Sequence, residues 1–201
     1  MTTPSQLMKV PKLSPTSQPT VLPVSVAVAK SRLDYPHDDS SKDDLFAEAI
    51  EAAAQQFQHD TGRVPIEQSF VWCLYEFPCE SEIRLPVRTV TSISSLKYED
   101  TSDYLRTWSS DNYRLSRDGL TIIREAGVTW PEHNPQPEGV VIEFVAGYEE
   151  PSEVPKLWTQ GMLLQVGKWF EDREMMWTAT EEQFDLAYER IIRRLMRSSY
   201  P

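Results

Sequence analysis

Residues 140–170, VVIEFVAGYEEPSEVPKLWTQGMLLQVGKWF, change period part-way along. Val140 to Ala146 is rich in β-branched and aromatic residues, has the length of a strand, and ends at Gly147. Ser152 and Pro155 then mark a helix start, since proline is tolerated near the first helical position. From Leu157 to Phe170 the apolar residues Leu157, Trp158, Met162, Leu163, Leu164, Val166, Trp169 and Phe170 cover most of the circumference. A helix that is apolar nearly all round is either buried centrally or shared between subunits, and burial within its own chain is the commoner case. A strand run followed by a buried helix predicts a mixed α+β fold.

Upstream of this stretch the chain reads as β. Ser69–Leu74, Ile83–Leu85, Val90–Tyr98, Tyr113–Leu115 and Leu120–Arg124 are short and rich in β-branched or aromatic residues. Turn signals separate them, at Phe77-Pro78, at Asp118-Gly119 and in the loop from Trp130-Pro131 to Gly139. Ile83-Arg84-Leu85 alternates, which predicts an antiparallel sheet with one wet face. The polar loop from Glu99 to Ser110 carries Tyr104, Leu105 and Trp108, which either anchor it or serve as contact residues; anchoring is the commoner outcome. Further upstream, Leu45, Phe46, Ala49, Ile50, Ala53, Ala54 and Phe57 recur at helical spacing. Ser41 and Asp44 have capping-box spacing at its start, and Gly62 in Thr61-Gly62-Arg63 is a natural stop. A shorter helix is expected after Ser25 as N-cap, with Val28, Ala29 and Leu33 on its apolar face, followed by an acidic loop from Asp34 to Asp44.

The two ends differ from this middle. In residues 1–23, prolines at positions 4, 11, 15, 19 and 23 alternate with polar residues and a few aliphatics. Proline removes backbone donors and disfavours helix in its predecessor, so the segment is expected to be an extended arm without a core of its own. Its aliphatic residues Leu7, Val10, Leu13, Val21 and Leu22 are candidates for contact with a neighbouring subunit. At the other end, Thr180 and Gln183 have capping-box spacing, and Phe184, Tyr188, Ile191 and Leu195 fall on one helical stripe. Arg190, Arg193, Arg194 and Arg197 fall on the opposite side, with Glu181, Glu182 and Asp185 in the first turns. These charges suit the helix dipole, so the pattern fits a solvated amphipathic helix as well as a surface that docks on an acidic partner.

Composition excludes several classes. Hydrophobic residues make up 40% and charged residues 25% of 201, the balance of a globular protein. No apolar run approaches the ~20 residues of a membrane helix. The N-terminal MTTPSQLMKVPKLSP lacks the continuous apolar stretch of a secretory signal, so synthesis and residence in the cytoplasm are expected. The net charge of −11 opposes sequence-specific duplex binding, which normally shows a basic footprint, yet an acidic wall would let DNA slide past. Cys73 and Cys79 belong to no metal-ligand pattern and read as free thiols in a reducing compartment. His37, His59 and His133 follow no ligand spacing. No G-x-S-x-G, P-loop, dinucleotide fingerprint or H-E-x-x-H occurs, so no catalytic residue, metal or cofactor is assigned. A hydrolase built on two carboxylates that meet only in space stays open as a rival.

The order of segments resembles the head–tail connector, or adaptor, proteins of long-tailed bacteriophages. The resemblance covers about residues 24 to 175. It runs through Ala29-Lys30-x-x-Leu33, the helix ending Thr61-Gly62-Arg63, and Phe70-Val71-Trp72. Ile83-x-Leu85-Pro86, Val90-Thr91-Ser92-Ile93, Tyr113-Arg114 and Trp130-Pro131 follow. Then come Val141-x-x-x-Val145-Ala146-Gly147-Tyr148, Val154-Pro155 and Gly167-Lys168-Trp169-Phe170-Glu171-x-Arg173-Glu174. No piece is specific alone; the order and spacing together are.

The resemblance implies a non-enzymatic virion protein: helices packed with an antiparallel β insertion, assembled as a ring, usually twelvefold, under the portal. The expected organisation is an arm over 1–23 and a connector domain over 24–201, helical at 24–62, mainly β at 69–148 and helical at 152–201. The implied partners are further copies of the chain, the portal protein, a stopper or tail-completion protein, and packaged DNA passing without specific contact. The implied location is the head–tail joint of the virion. In related connectors the C-terminal region commonly reaches the portal, which makes Arg190, Arg193, Arg194, Arg197 and Tyr200 candidate portal-binding residues. The proline-rich arm departs from the family's usual pattern. A stopper or tail-completion protein of the same joint is the alternative reading.

Overall fold

The computed structural model describes the backbone of residues 11–174 and 181–197, and the side chains of 11–170 and 185–196. The chain divides into two compact units. Met1–Gln18 join Glu67–Gly147 in one, and Pro19–Ile66 join Tyr148–Pro201 in the other.

Among the described residues, the regular elements of the first unit are β-strands, apart from one short 3-10 turn at Ser110–Asn112. Its larger sheet has five strands, β1 (Lys12–Pro15), β2 (Gln68–Leu74), β8 (Val140–Ala146), β4 (Val90–Glu99) and β5 (Leu105–Thr107), in the order β1-β2-β8-β4-β5. Its smaller sheet orders β3 (Glu82–Arg84), β7 (Thr121–Arg124) and β6 (Tyr113–Leu115) as β3-β7-β6. Every pairing within the two sheets is antiparallel. The alternation expected of a sheet with one wet face is clearest in β8: Val140, Ile142, Phe144 and Ala146 are buried, while Val141, Glu143 and Val145 are half-buried. Phe70 of β2 lies opposite Phe144 in register, and their rings stack at 5.5 Å. On the opposite face Glu143 accepts hydrogen bonds from Lys97 Nζ at 2.8 Å and Ser95 Oγ at 2.7 Å. Those two donors, Lys97 foremost, hold its carboxyl below the usual range. Beyond the sheet, Phe77, Trp108, Tyr113 and Trp130 form an aromatic cluster in which Phe77 stacks on Trp130 at 5.0 Å and Trp108 on Tyr113 at 5.5 Å.

Two strands were not expected. β1 lies inside the proline-rich segment; its four residues are extended and paired, Leu13 with Trp72 and Pro15 with Phe70. Pro15 is tolerated because β1 is an edge strand. β5 corrects the reading of Glu99–Ser110 as loop, and the trio of residues there divides. Trp108 is buried and anchors, whereas Tyr104 and Leu105 remain exposed.

The second unit is helical, built from α1 (Val26–Arg32), α2 (Asp43–Thr61), α3 (Lys156–Glu174) and α4 (Glu181–Arg197). Ser25 caps α1 as expected, its side chain accepting from Val28 N–H. The capping box foreseen at Ser41 and Asp44 does not form: α2 begins at Asp43 with no side-chain cap, because Asp39 Oδ1 takes the Ser41 N–H instead, at 2.9 Å. Hydrogen bonds from Ser41, and then from the Tyr35 hydroxyl, lower the Asp39 pKa to about 2. Gly62 ends α2 in the left-handed region with φ 65°, as its sequence position suggests. Pro155 precedes α3 by one residue, and its carbonyl accepts from Trp158 N–H at 2.8 Å. α3 packs against α1, α2 and α4, which accounts for its lack of a polar face. The core comprises Phe46, Ile50, Ala53 and Phe57 from α2, Trp158, Met162 and Val166 from α3, with Val24, Ala29, Ile66, Val154 and Leu195 around them. The capping pair at the start of α4 includes Thr180, which lies outside the described residues.

Candidate interaction surfaces

Among the described residues no three His, Cys, Asp or Glu side chains come together as metal ligands. Cys73 and Cys79 are free thiols, and partial burial, with Glu138 nearby, pushes the Cys73 thiol up. Of the histidines, His59 is exposed, whereas His133 accepts the Phe77 N–H at 3.3 Å and sits edge-on to the Phe77 ring.

The first candidate surface lies on α4. Three contacts fix it on the helical unit. The Tyr188 hydroxyl donates to Asp60 Oδ2 at 2.9 Å. Lys168 Nζ donates to both carboxylate oxygens of Asp185, at 2.8 and 3.1 Å. The Arg63 guanidinium donates to the Leu195 carbonyl at 3.1 Å while standing over the Trp158 ring at 5.3 Å. Burial, and then the Asp60 carboxylate, push the Tyr188 hydroxyl well above the ordinary tyrosine range. Burial alone would raise Asp60, but hydrogen bonds from Gln56, His59 and Tyr188 outweigh it and hold the carboxyl below its usual value.

These anchors explain why Thr61-Gly62-Arg63 occurs as a unit. Thr61 Oγ1 donates back to the Phe57 carbonyl at 2.7 Å, Gly62 turns the chain, and Arg63 satisfies a carbonyl in the last turn of α4. The sequence marks Gly62 as a stop, but the role of Arg63 depends on a partner 132 residues away and carries no local signal.

With Tyr188 and Leu195 buried, Arg190, Arg193 and Arg194 are exposed together, as the two-faced pattern predicts. Arg193 pairs with Glu189 at 2.7 Å, an exposed i,i+4 contact worth only about 0.3–0.5 kcal/mol. Leu186 shares their face at i, i+4 and i+7 spacing, and it is 53% exposed. The Arg197 side chain and Tyr200 lie outside the described residues. Of the arm candidates, Leu13 is on β1 and exposed, Val21 is exposed, and Leu22 packs against the helical core; Leu7 and Val10 lie outside the described residues.

No protein-family model and no curated protein sequence matches the chain. Solved structures do. A chain in the neck of an empty gene transfer agent (GTA) particle, computed with sixfold symmetry, superposes with a TM-score of 0.72 at 18% identity, covering 92% of this chain and 94% of that one. A chain in the neck of the native GTA particle, computed with twelvefold symmetry, gives 0.71 at 22% identity with the same coverage. The fold is that of a neck protein. A chain of the native GTA virion gives 0.71 at 20% identity over 89% of this chain and 93% of that one. The likeness spans both units, so the neck fold includes the β unit as well as the helices.

Proposed function

We propose that the chain is a structural subunit of a head–tail neck, the connector (adaptor) ring that binds beneath the portal and offers a platform to the stopper or tail. The observation that carries this reading is the likeness, over almost the full length of both chains, to proteins in necks computed with sixfold and twelvefold symmetry. The net charge of −11 suits a channel through which DNA slides without specific contact. The role is mechanical rather than catalytic. Native mass spectrometry of the protein, alone and with its portal, tests the reading. A ring, or a portal complex holding about a dozen copies, is expected of a body built on cyclic symmetry. A monomer that also ignores the portal would overturn it, and binding to a tail protein but not to the portal would favour a stopper.

Two finer assignments belong to this reading. The exposed arginine face of α4 meets an acidic surface of the portal. The double charge reversal Arg193→Glu with Arg194→Glu is expected to weaken portal binding by at least about tenfold, more at low salt, with no loss of helical signal. Unchanged binding would reject the assignment. The arm adds to the contact between neighbouring subunits. Deleting residues 1–23 would also remove β1 and the packed Leu22, so the arm is tested on its exposed side chains: Leu13→Asp with Val21→Asp is expected to lower the fraction of protein found in rings without moving the thermal midpoint. Rings of unaltered stability in that variant would remove the arm from the interface.

A further inference from the structure

Tyr104 and Leu105 are the two most exposed large hydrophobic side chains among the described residues, at 64% and 60%. They are adjacent, at the tip of the β4–β5 hairpin, and that tip is firmly held. Asp100 Oδ1 accepts the N–H groups of Ser102 and Tyr104 at 2.8 and 3.0 Å, and Oδ2 accepts Arg106 Nε at 2.8 Å. Asp100 N–H donates to the Tyr104 carbonyl at 2.9 Å. Asn134 steadies the turn from outside, donating its side-chain amide to Asp103 Oδ1 at 2.8 Å and its N–H to the Glu99 carbonyl at 3.1 Å. The contacts hold the backbone rather than bury the side chains, which leaves an aromatic–aliphatic pair displayed on a fixed support. Such a pair loses little freedom on docking, and tyrosine is among the residue types that anchor interfaces.

The helical unit carries a feature of opposite shape. Leu45, Glu48 and Ala49 of α2 and Trp169 and Phe170 of α3 line an open groove of about 240 Å³. Phe170 stacks on the buried Phe46 at 4.1 Å, so part of the groove is backed by the core. The volume is below the ~300–1,000 Å³ of small-molecule sites and suits side chains better than a ligand. Four of the five lining residues are apolar; the fifth, Glu48, is opposite in charge to Arg106, whose guanidinium lies 5.7 Å from the Tyr104 ring.

We propose that the Tyr104–Leu105 tip of one copy seats in the Leu45–Phe170 groove of a second copy, and that this is a head-to-tail contact of the ring. The inference rests on the ring reading above. A heterologous interface needs two different patches on one chain that complement each other, and a protruding apolar tip with an apolar groove is such a pair. Arg106 and Glu48 then meet at the rim and set the orientation.

The test has two arms, each read with the wild type alone and on the portal. In a background of Cys73→Ser and Cys79→Ser, a chain carrying both Leu105→Cys and Glu48→Cys is oxidised under ring-forming conditions. A ladder of covalent multiples on non-reducing electrophoresis is expected, whereas either cysteine alone stops at a dimer. Separately, Tyr104→Asp with Leu105→Asp is expected to cut the ring fraction at least about tenfold, the scale of an anchor residue, without moving the thermal midpoint. Wild-type rings with no ladder, or with rings intact in the Asp variant, overturn the contact and leave the ring reading standing. Intact rings that no longer bind the portal would assign the tip to the portal instead and also overturn it. A wild type that forms no ring in either setting overturns the ring reading, and the contact with it.

Discussion

Gly119→Ala is expected to destabilise the β unit by roughly 2–5 kcal/mol. Gly119 closes the turn between β6 and β7 with φ +66°, and a Cβ there would stand 2.5 Å from the Val90 carbonyl oxygen. Two costs therefore combine: about 1–2 kcal/mol for an L-residue in the left-handed region, and about 1–3 kcal/mol for the backbone shift that relieves the overlap. The turn has little freedom to give way. Gly119 N–H donates to the Ser116 carbonyl, Ser116 N–H to the Thr121 carbonyl, and Leu120 N–H to Asp118 Oδ1. On the other side, Val90 opens β4, which pairs with β8 along its length. Gly62→Ala separates the two costs. Its φ is +65°, yet nothing lies within 4 Å of the added Cβ, so only the conformational penalty applies. Urea unfolding followed by tryptophan fluorescence is the measurement. Equal losses in the two variants would show that the Val90 contact relaxes freely.

Phe46→Ala is expected to cost the helical unit about 3–5 kcal/mol, the range for deleting a fully buried aromatic side chain. Phe46 is 0% exposed, stacks on Phe170 at 4.1 Å and receives the Tyr35 ring edge-on at 5.4 Å. Its loss removes one side of the Phe170 stack and the edge contact with Tyr35 together. Phe46→Leu keeps most of the volume and is expected to recover more than half of the loss. Thermal unfolding followed by circular dichroism reads this. At about 2–4 °C per kcal/mol for a chain of this size, a drop of more than ~6 °C is expected for the alanine variant. A smaller drop would mean that the site collapses around the cavity.

Local pattern carried most of this fold. Val140–Ala146 begins and ends where its β-branched and aromatic run does, Tyr113–Leu115 keeps the bounds read from the sequence, and Gly62 stops α2 where left-handed tolerance places it. What was not legible depended on partners distant in sequence. β1 is a strand only because β2 offers an edge; its own residues, Lys-Leu-Ser-Pro, carry no strand signal. Ser41 and Asp44 had the spacing of a cap, but a nearer acceptor, Asp39, captured the donor. The arginine face of α4 was readable from spacing alone, since side chains at i, i+4 and i+7 share a face in any helix. The groove between α2 and α3 was not, because it exists only once the two helices pack. The Tyr104–Leu105 tip stands between these cases: the residues attract notice in a polar loop, but their exposure follows from the Asp100 contacts.

Ile66 and Tyr148 form a backbone bridge in the helical unit, and they flank the segment that builds most of the β unit. A segment whose two ends already meet imposes almost no closure condition on the unit that hosts it. Its loops and strands are free to lengthen, shorten or be exchanged over evolutionary time while the helices keep their packing. The arrangement lets the features carried by the β segment diverge quickly, and leaves the helical scaffold nearly unchanged.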